Sequence, residues 1–369
     1  MNINAVENCS GCLLCKELCP KKCISVVKDD LGHLNPRIDA EMCIDCGICA
    51  KSCPEMTPIS LNEISEVYAA WDKDDMARDK SSSGGIATLI AKEFLKEGGV
   101  VYGCSLVMPF DFKHIRCEDL ESLERLRGSK YVQSDTQECW RYLRTDLKEG
   151  RNVLFIGTPC QVAAAKRTFK NTENLYTIDL ICHGVPSVET FKGSLPSNIK
   201  HEEIRNITFR NNTNYILNVL NKQNEIIYSR PLSQNWYMKG FFTSLFCRRS
   251  CYNCKYAQEK RVGDITLGDF WGIKEYDIVE EKKGISAFII NSVKGKMLLN
   301  TTNSAAHLLK RDIYEVKKDN TPLNRPSIKR FRYNIFKFLV KIIGVNRAII
   351  FSLPEIAIKS FVTRILTKY

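Results

Sequence analysis

The chain has 369 residues, 44% of them hydrophobic and 26% charged. That balance suits a soluble globular protein of two or three domains and excludes disordered, collagen-like and low-complexity chains. The net charge of +12 is lopsided: from Thr321 to Tyr369 ten Lys and Arg face one acid, Glu355, leaving only +3 for the rest, so a basic tail is indicated rather than a nucleic-acid footprint over the whole surface.

Seventeen cysteines are the anomaly. An odd number cannot all pair within one chain. The opening residues, MNINAVENCSGC, have neither a basic region nor an apolar run, so no secretory signal is expected. Without export, dense cysteine points to metal or redox chemistry rather than disulfides. Every stretch of about 18 apolar residues is interrupted by charge, so no transmembrane helix is expected.

Two cysteine ladders open the chain. Cys9, Cys12, Cys15 and Cys19 precede Pro20; Cys43, Cys46, Cys49 and Cys53 precede Pro54. Each cysteine of the second lies 34 residues after its counterpart, an internal repeat. Three thiolates two residues apart let the backbone curl around one corner of a cubane. The fourth, before proline, leaves on another path and reaches the other cluster. The spacing therefore assigns one 4Fe-4S cluster to Cys9, Cys12, Cys15 and Cys53, and a second to Cys43, Cys46, Cys49 and Cys19. Structural zinc prefers two cysteine pairs, not three in a row with a fourth exit, twice over. The pattern resembles the bacterial-type two-cluster ferredoxin module over residues 1–60. Between the ladders, Ile24 to Met42 alternates around Asp29-Asp30-Leu31-Gly32 and reads as a hairpin. Cys23 lies outside the ladders and is expected to be buried rather than ligating.

An α/β texture follows. Ser81-Ser82-Ser83-Gly84-Gly85 precedes a helical run from Ile86 to Glu97, and Val100 to Val107 reads as a strand. The serines are candidate N-caps, and the helix start is a candidate phosphate site. Val153 to Ile156 reads as a strand running into Gly157-Thr158-Pro159-Cys160-Gln161, with a helix expected from Ala163 to Phe169. Leu175 to Ile181 is another strand, running into Cys182-His183-Gly184. If these strands are parallel, both thiols open into one crevice at the sheet's carboxyl end, where such sheets bind ligands. Cys160, at a helix N-terminus, is expected to have a lowered pKa. The alternative is that both cysteines are small buried hydrophobes.

A third group reads Cys247, Cys251 and Cys254, with Arg248 and Arg249 beside them as offsets for thiolate charge, followed by GDITLGDFWG at 263–272. Cys251 and Cys254 with the two strand-end thiols would make another four-cysteine site, with Cys247 as an alternative member. Cys104, Cys117 and Cys139 lack partners at metal spacing and are read as structural.

These motifs, with Gly-Ser-Lys-Tyr-Val-Gln-Ser at 128–134, occur in an order that resembles the coenzyme F420 hydrogenase/dehydrogenase beta-subunit family, in the form with an N-terminal ferredoxin, over residues 1–300. The resemblance implies an FAD-containing iron–sulfur oxidoreductase; relatives reduce a deazaflavin coenzyme, and similar folds reduce chlorophyll intermediates. Carried over by motif, Ser83, Gly84, Gly85, Lys130, Tyr131, Gln133, Thr158 and Gln161 would line the flavin. Cys160, Cys182, Cys251 and Cys254 would hold a third 4Fe-4S cluster, and His183 would deliver a proton or cap a turn. Asp264 and Asp269 are read as ordering their loop.

The expected fold class is α+β: a small two-cluster ferredoxin-like domain (1–60), an α/β flavin-type domain (61–190), a C-terminal domain bearing the third cysteine group (191–320), and a helical basic tail (321–369). The expected function is electron transfer from a low-potential donor through 4Fe-4S clusters to FAD and on to a substrate, a deazaflavin or a glycan-biosynthesis intermediate. The alternatives are a relay subunit with no substrate site and an iron–sulfur sensor. Expected partners are a donor or acceptor protein and a partner redox subunit, with no nucleic acid. The location is expected to be cytoplasmic. The tail, which mixes Lys and Arg with Phe336, Phe338, Leu339, Ile342, Ile343 and Ile349 to Phe351 and breaks at Pro354, would place the chain peripherally on the inner membrane surface or dock on the core.

Overall fold

The computed structural model describes residues 2–366, apart from 109, 170–171, 212 and 274–282. The N-terminal region repeats itself in space as it does in sequence. Helix α1 (Leu14–Leu18) follows Cys9 and Cys12 and carries Cys15, the hairpin β1 (Ile24–Lys28) and β2 (Leu34–Ile38) comes next, and α2 (Ile48–Ser52) repeats α1 at the same spacing. The left-handed positions repeat too. Gly11 and Leu13 have φ of 69° and 55°, and their counterparts Asp45 and Gly47 have 47° and 72°. In each half one of the two is not glycine and carries strain of order 1 kcal/mol. The strained curl turns an N–H toward sulfur: Gly11 N lies 3.4 Å from Cys9 Sγ.

The body begins with β3 (Glu66–Asp72), α3 (Asp75–Asp79), α4 (Ile86–Lys96), β4 (Val100–Val107), β5 (Asp111–Cys117), α5 (Leu120–Glu124) and α6 (Gln137–Lys148). It continues through β6 (Val153–Gly157), α7 (Pro159–Thr168), β7 (Leu175–Leu180) and α8 (Val188–Lys192). A small antiparallel sheet, β8 (Ile204–Thr208), β9 (Ile216–Asn221) and β10 (Ile226–Pro231), then leads to α9 (Trp236–Phe242). The chain returns through β11 (Ile265–Asp269), β12 (Ser286–Ile290), α10 (Val293–Thr302), β13 (Ala306–Lys310) and α11 (Ile313–Asp319).

The large sheet runs β13-β3-β12-β11-β7-β6-β4-β5. Its centre, β11-β7-β6-β4, is parallel, and the flanking pairs are antiparallel. The parallel strands are rich in buried apolar residues, as strands covered on both faces must be. The sheet draws strands from both the 61–190 and the 191–320 spans. Because β6 and β7 are parallel and in register from Val153↔Leu175 to Gly157↔Asp179, Cys160 and Cys182 emerge at the same edge.

Two local expectations change. The helix expected from Ala163 begins at Pro159, because proline fits a first helical turn and Thr158 with Gln161 closes a capping box. Gly85, at φ 84°, rather than a serine, is the N-cap of α4. The serine hydroxyls are engaged elsewhere: Ser83 Oγ donates to Ile285 O at 2.9 Å, and Ser82 Oγ accepts from Ser129 N at 2.7 Å.

The tail forms α12 (Arg332–Ile343), α13 (Val345–Ser352) and α14 (Pro354–Leu366), and its last three residues lie outside the described ones. Gly344, at φ 76°, separates the first two, and Pro354 opens the third. One side docks: Phe336, Val345, Ala348, Ile349 and Leu353 join the core of the small sheet and α9. Lys337 and Lys341 pair with Asp30 of the hairpin at 2.7 and 2.8 Å. The outer side exposes Phe331, Phe338, Ile342, Phe351 and Ile358. Among the described residues no helix is long and apolar enough to cross a membrane.

Candidate functional site

Four features converge where the parallel strands end. The first is a cleft of about 790 Å³, within the range that holds organic cofactors. Ser83, Gly85, Lys130, Tyr131, Gln133, Thr158 and Gln161 line it, together with Cys160, Cys182 and His183. Gly84 is not among the lining residues. A Cβ there would lie 2.3 Å from Ala70 O, so this glycine lets the loop press onto β3. The first-turn N–H groups of α4 have no intrahelical acceptor, and Ile86, Ala87 and Thr88 border the cleft. The positive end of an 11-residue helix therefore faces it.

The lining side chains are held by one another. Gln161 donates from Nε2 to Ser134 Oγ at 3.0 Å, and Ser134 Oγ lies 2.9 Å from His114 Nδ1. His114 Nε2 meets Ile156 O at 3.0 Å, and burial pushes this imidazole down to about 4. Lys130 Nζ donates to Leu126 O and Arg127 O at 2.7 and 2.8 Å, tying down the turn after α5, and desolvation pushes it down to about 8. Tyr131 packs on Phe241, with ring centroids 4.9 Å apart. Gln133 is buried against the Arg248 guanidinium at 3.4 Å. His183 Nε2 lies 3.1 Å from Phe241 O and 2.9 Å from Ser244 Oγ, and burial favours the neutral ring.

The second feature is a set of thiols at one corner of the cleft. Cys160, Cys182, Cys251 and Cys254 lie close enough that Cys182 is pushed up first by burial and then by the charges of the other three. Cys247 feels Cys251 and Cys182 among the cysteines and is fully buried behind Gly184. The expected depression of the Cys160 pKa is overturned. Burial pushes this thiol up to about 12, outweighing the helix terminus and the Thr158 hydroxyl beside it. Such a buried, mutually repelling donor set fits a cation-rich cluster, which would bind the deprotonated forms. Among the described residues no three His, Cys, Asp or Glu are placed to hold a single metal ion.

The third feature is the ferredoxin-like region, whose thiols fall into two neighbourhoods. Cys12 is raised by burial and by Cys15, Cys9 and Cys53. Cys19, Cys43, Cys46 and Cys49 line a separate small cavity with Cys23. Cys23 is buried and sits 3.4 Å from Cys19, Sγ to Sγ. The first ladder faces the body. Trp140 Nε1 and Thr136 Oγ1 donate to Cys12 O at 2.8 and 2.7 Å, and Arg248 donates to Cys9 O at 2.7 Å and Leu34 O at 2.9 Å. Cys12, Leu14, Cys160 and Cys254 share one apolar cluster. Arg248 therefore clamps the two regions together, and its charge opposes only in part the burial that pushes Cys251 up to about 11.

The fourth feature is an aromatic wall that sequence reading missed: Tyr215, Phe242 and Trp271, with Arg210 buried behind them and paired with Asp269 at 2.7 Å. No local signal marks it, since its members come from the start of β9, the end of α9 and the segment after β11. Asp264 ties β11 to β7 through Thr177 N at 2.9 Å. Cys117 and Cys139 are buried in the core, whereas Cys104, read as structural, borders the cleft.

Two family profiles match this scaffold. Both describe the beta subunit of coenzyme F420 hydrogenase/dehydrogenase: its N-terminal part matches residues 67–139 and its C-terminal part matches residues 150–315. The chain belongs to the coenzyme F420 hydrogenase/dehydrogenase beta-subunit family. A 4Fe-4S binding domain matches residues 36–57, across the second ladder. The fold is similar to a chain of the F420-reducing [NiFe] hydrogenase complex from Methanosarcina barkeri. The TM-score is 0.50 at 16% identity, covering 72% of this chain and 91% of that one. No curated protein matches the sequence. This family member is thus an iron–sulfur protein of oxidoreductase type, with its 4Fe-4S region docked on the family's body.

Proposed function

We propose that the protein is an iron–sulfur flavin oxidoreductase, in which three four-cysteine groups connect an external low-potential donor to a cleft that binds FAD. The observation that carries the reading is that Cys160 and Cys182 belong both to the third cysteine group and to the cleft wall. Clusters and flavin, when bound, would supply single-electron relay and its conversion to hydride-type transfer. The chain's own residues would do the holding. The α4 N-terminus faces where a pyrophosphate would be neutralised. Thr158 and Gln161 fix the turn after β6, and Lys130 rigidifies the loop opposite. Tyr131 supplies a ring edge, and His183 holds a proton at Nε2 against Phe241 O. The substrate would be a deazaflavin or a glycan-biosynthesis intermediate, received against the aromatic wall.

A relay subunit is the second reading. It is favoured by exposed Met42, Ile44 and Ile48 around the second ladder, a face that suits a donor protein or partner redox subunit. The similar chain lies in a hydrogenase complex. For the tail we propose peripheral contact with an anionic membrane through Phe331, Phe338 and Ile342, which share one face of α12. Co-sedimentation with anionic but not neutral vesicles, lost in Phe338→Glu, is the expected result.

The deciding experiment is anaerobic purification with iron, acid-labile sulfide and flavin counted per chain. About twelve iron with one FAD is expected from three 4Fe-4S groups. About eight iron and no flavin would overturn the reading and leave a relay or sensor.

A further inference from the structure

We propose that Tyr256 donates its hydroxyl to a sulfur of the cluster held by Cys160, Cys182, Cys251 and Cys254, and so sets how readily that cluster takes up an electron. The inference rests on the reading of those four cysteines as a cluster site.

Tyr256 is 4% exposed, and its hydroxyl is buried without a hydrogen-bond partner among the described residues. An unmatched buried hydroxyl costs about 1–3 kcal/mol, so such groups are retained where something bound satisfies them. The ring lies in the apolar cluster that contains Cys12, Leu14, Cys160 and Cys254, between the first ladder and the third cysteine group. The acid closest by charge is Glu55, whose carboxylate is paired with Lys255 at 3.2 Å. After Glu55, the charges that act on this hydroxyl are those of Cys160, Cys12 and Cys254, so it sits among thiols of the third cysteine group and the first ladder.

The loop that carries Tyr256 is fixed at its backbone. Arg261 donates to Tyr256 O at 3.0 Å and to Gln258 O at 3.2 Å, and is itself anchored by Asp179 at 2.9 Å. Cys254 and Tyr256 are two residues apart, so ligand and donor are held by one rigid segment. A reduced cluster places added negative charge on its sulfurs. A hydroxyl aimed at one of them stabilises the reduced form and raises the potential. Placed on the inner cluster, it makes electron flow from the first ladder inward more favourable.

The test is Tyr256→Phe, which keeps the ring and removes the donor, with potentiometric titration followed by EPR. The wild-type iron count comes first: about eight iron per chain would sink the underlying cluster reading on its own, whatever the variant does. With about twelve, the expected result is an inner-cluster midpoint more negative in Tyr256→Phe, unchanged iron and sulfide, and unchanged ferredoxin-type signals. Deuterium ENDOR on the reduced protein should lose one exchangeable coupling in the variant. An inner midpoint equal to wild type, or a shift confined to the ferredoxin-type signals, overturns the proposal. So does a variant that loses the inner cluster's iron, since the hydroxyl would then serve assembly rather than potential.

Discussion

The two cysteine ladders are near copies in sequence and opposites in environment. Leu14 and Ile48 occupy the same position of the repeat, yet Leu14 is 1% exposed in the body's core and Ile48 is 39% exposed. Cys12 O accepts two hydrogen bonds from α6 and the turn before it, while Cys46 is exposed. A repeat specifies two equivalent sites, and only docking makes one inner and the other outer. The outer ladder is where an external protein can approach, and the inner one shares an apolar cluster with Cys160 and Cys254.

Removing ligands breaks the comparison most. Cys160→Ser should lower the iron count by about four per chain and abolish flavin reduction by a low-potential donor. Cys46→Ser should lose the same iron but leave the inner signals intact. Unchanged flavin reduction with a full iron count in Cys160→Ser would refute the ligand assignment.

Next comes the buried position of the repeat. Leu14→Asp should destabilise the protein by about 4 kcal/mol, through lost packing and a buried charge. Ile48→Asp should stay within about 0.5 kcal/mol while weakening donor binding. Denaturant midpoints and the donor KM separate the two, and equal destabilisation would contradict the asymmetry.

The cleft adds a pH dependence. His114 ionises near 4 in the folded chain and near 6.5 when unfolded, so the unfolded state binds the extra proton between those values. Stability should therefore fall as pH drops from about 6.5 to 4, by about 3 kcal/mol, and stay flat above. His114→Gln should flatten that limb at matched cluster content. A slope that persists in the variant would assign it to another group.

The clamp gives the smallest change. Arg248→Met should cost about 1.5–3 kcal/mol and expose the linker near residue 60 to proteolysis, because four acceptors lose a charged donor. Protection equal to wild type would mean that Trp140, Thr136 and the Lys337–Asp30 pair suffice.

Local chemistry made much of this legible in the sequence. Cysteine spacing is a property of the chain itself, so the two ladders and the strand-end cysteines at 160 and 182 could be read directly. Apolar runs placed β4, β6 and β7, and helical periodicity placed α4, to within a residue, because these strands are covered on both faces and α4 buries one of its own. The Cys160 pKa was misjudged because a helix terminus is local, whereas the desolvation that outweighs it comes from the whole fold. The aromatic wall was invisible for the same reason, and so was Cys104 at the cleft. The tail's basic, apolar character was legible, but not that Lys337 and Lys341 would bind Asp30, some 300 residues away. Spacing along the chain set the thiols out in groups. Only tertiary packing decided which group is buried, which borders the cleft and which meets solvent, because burial and charge pairing depend on neighbours brought together from distant parts of the chain.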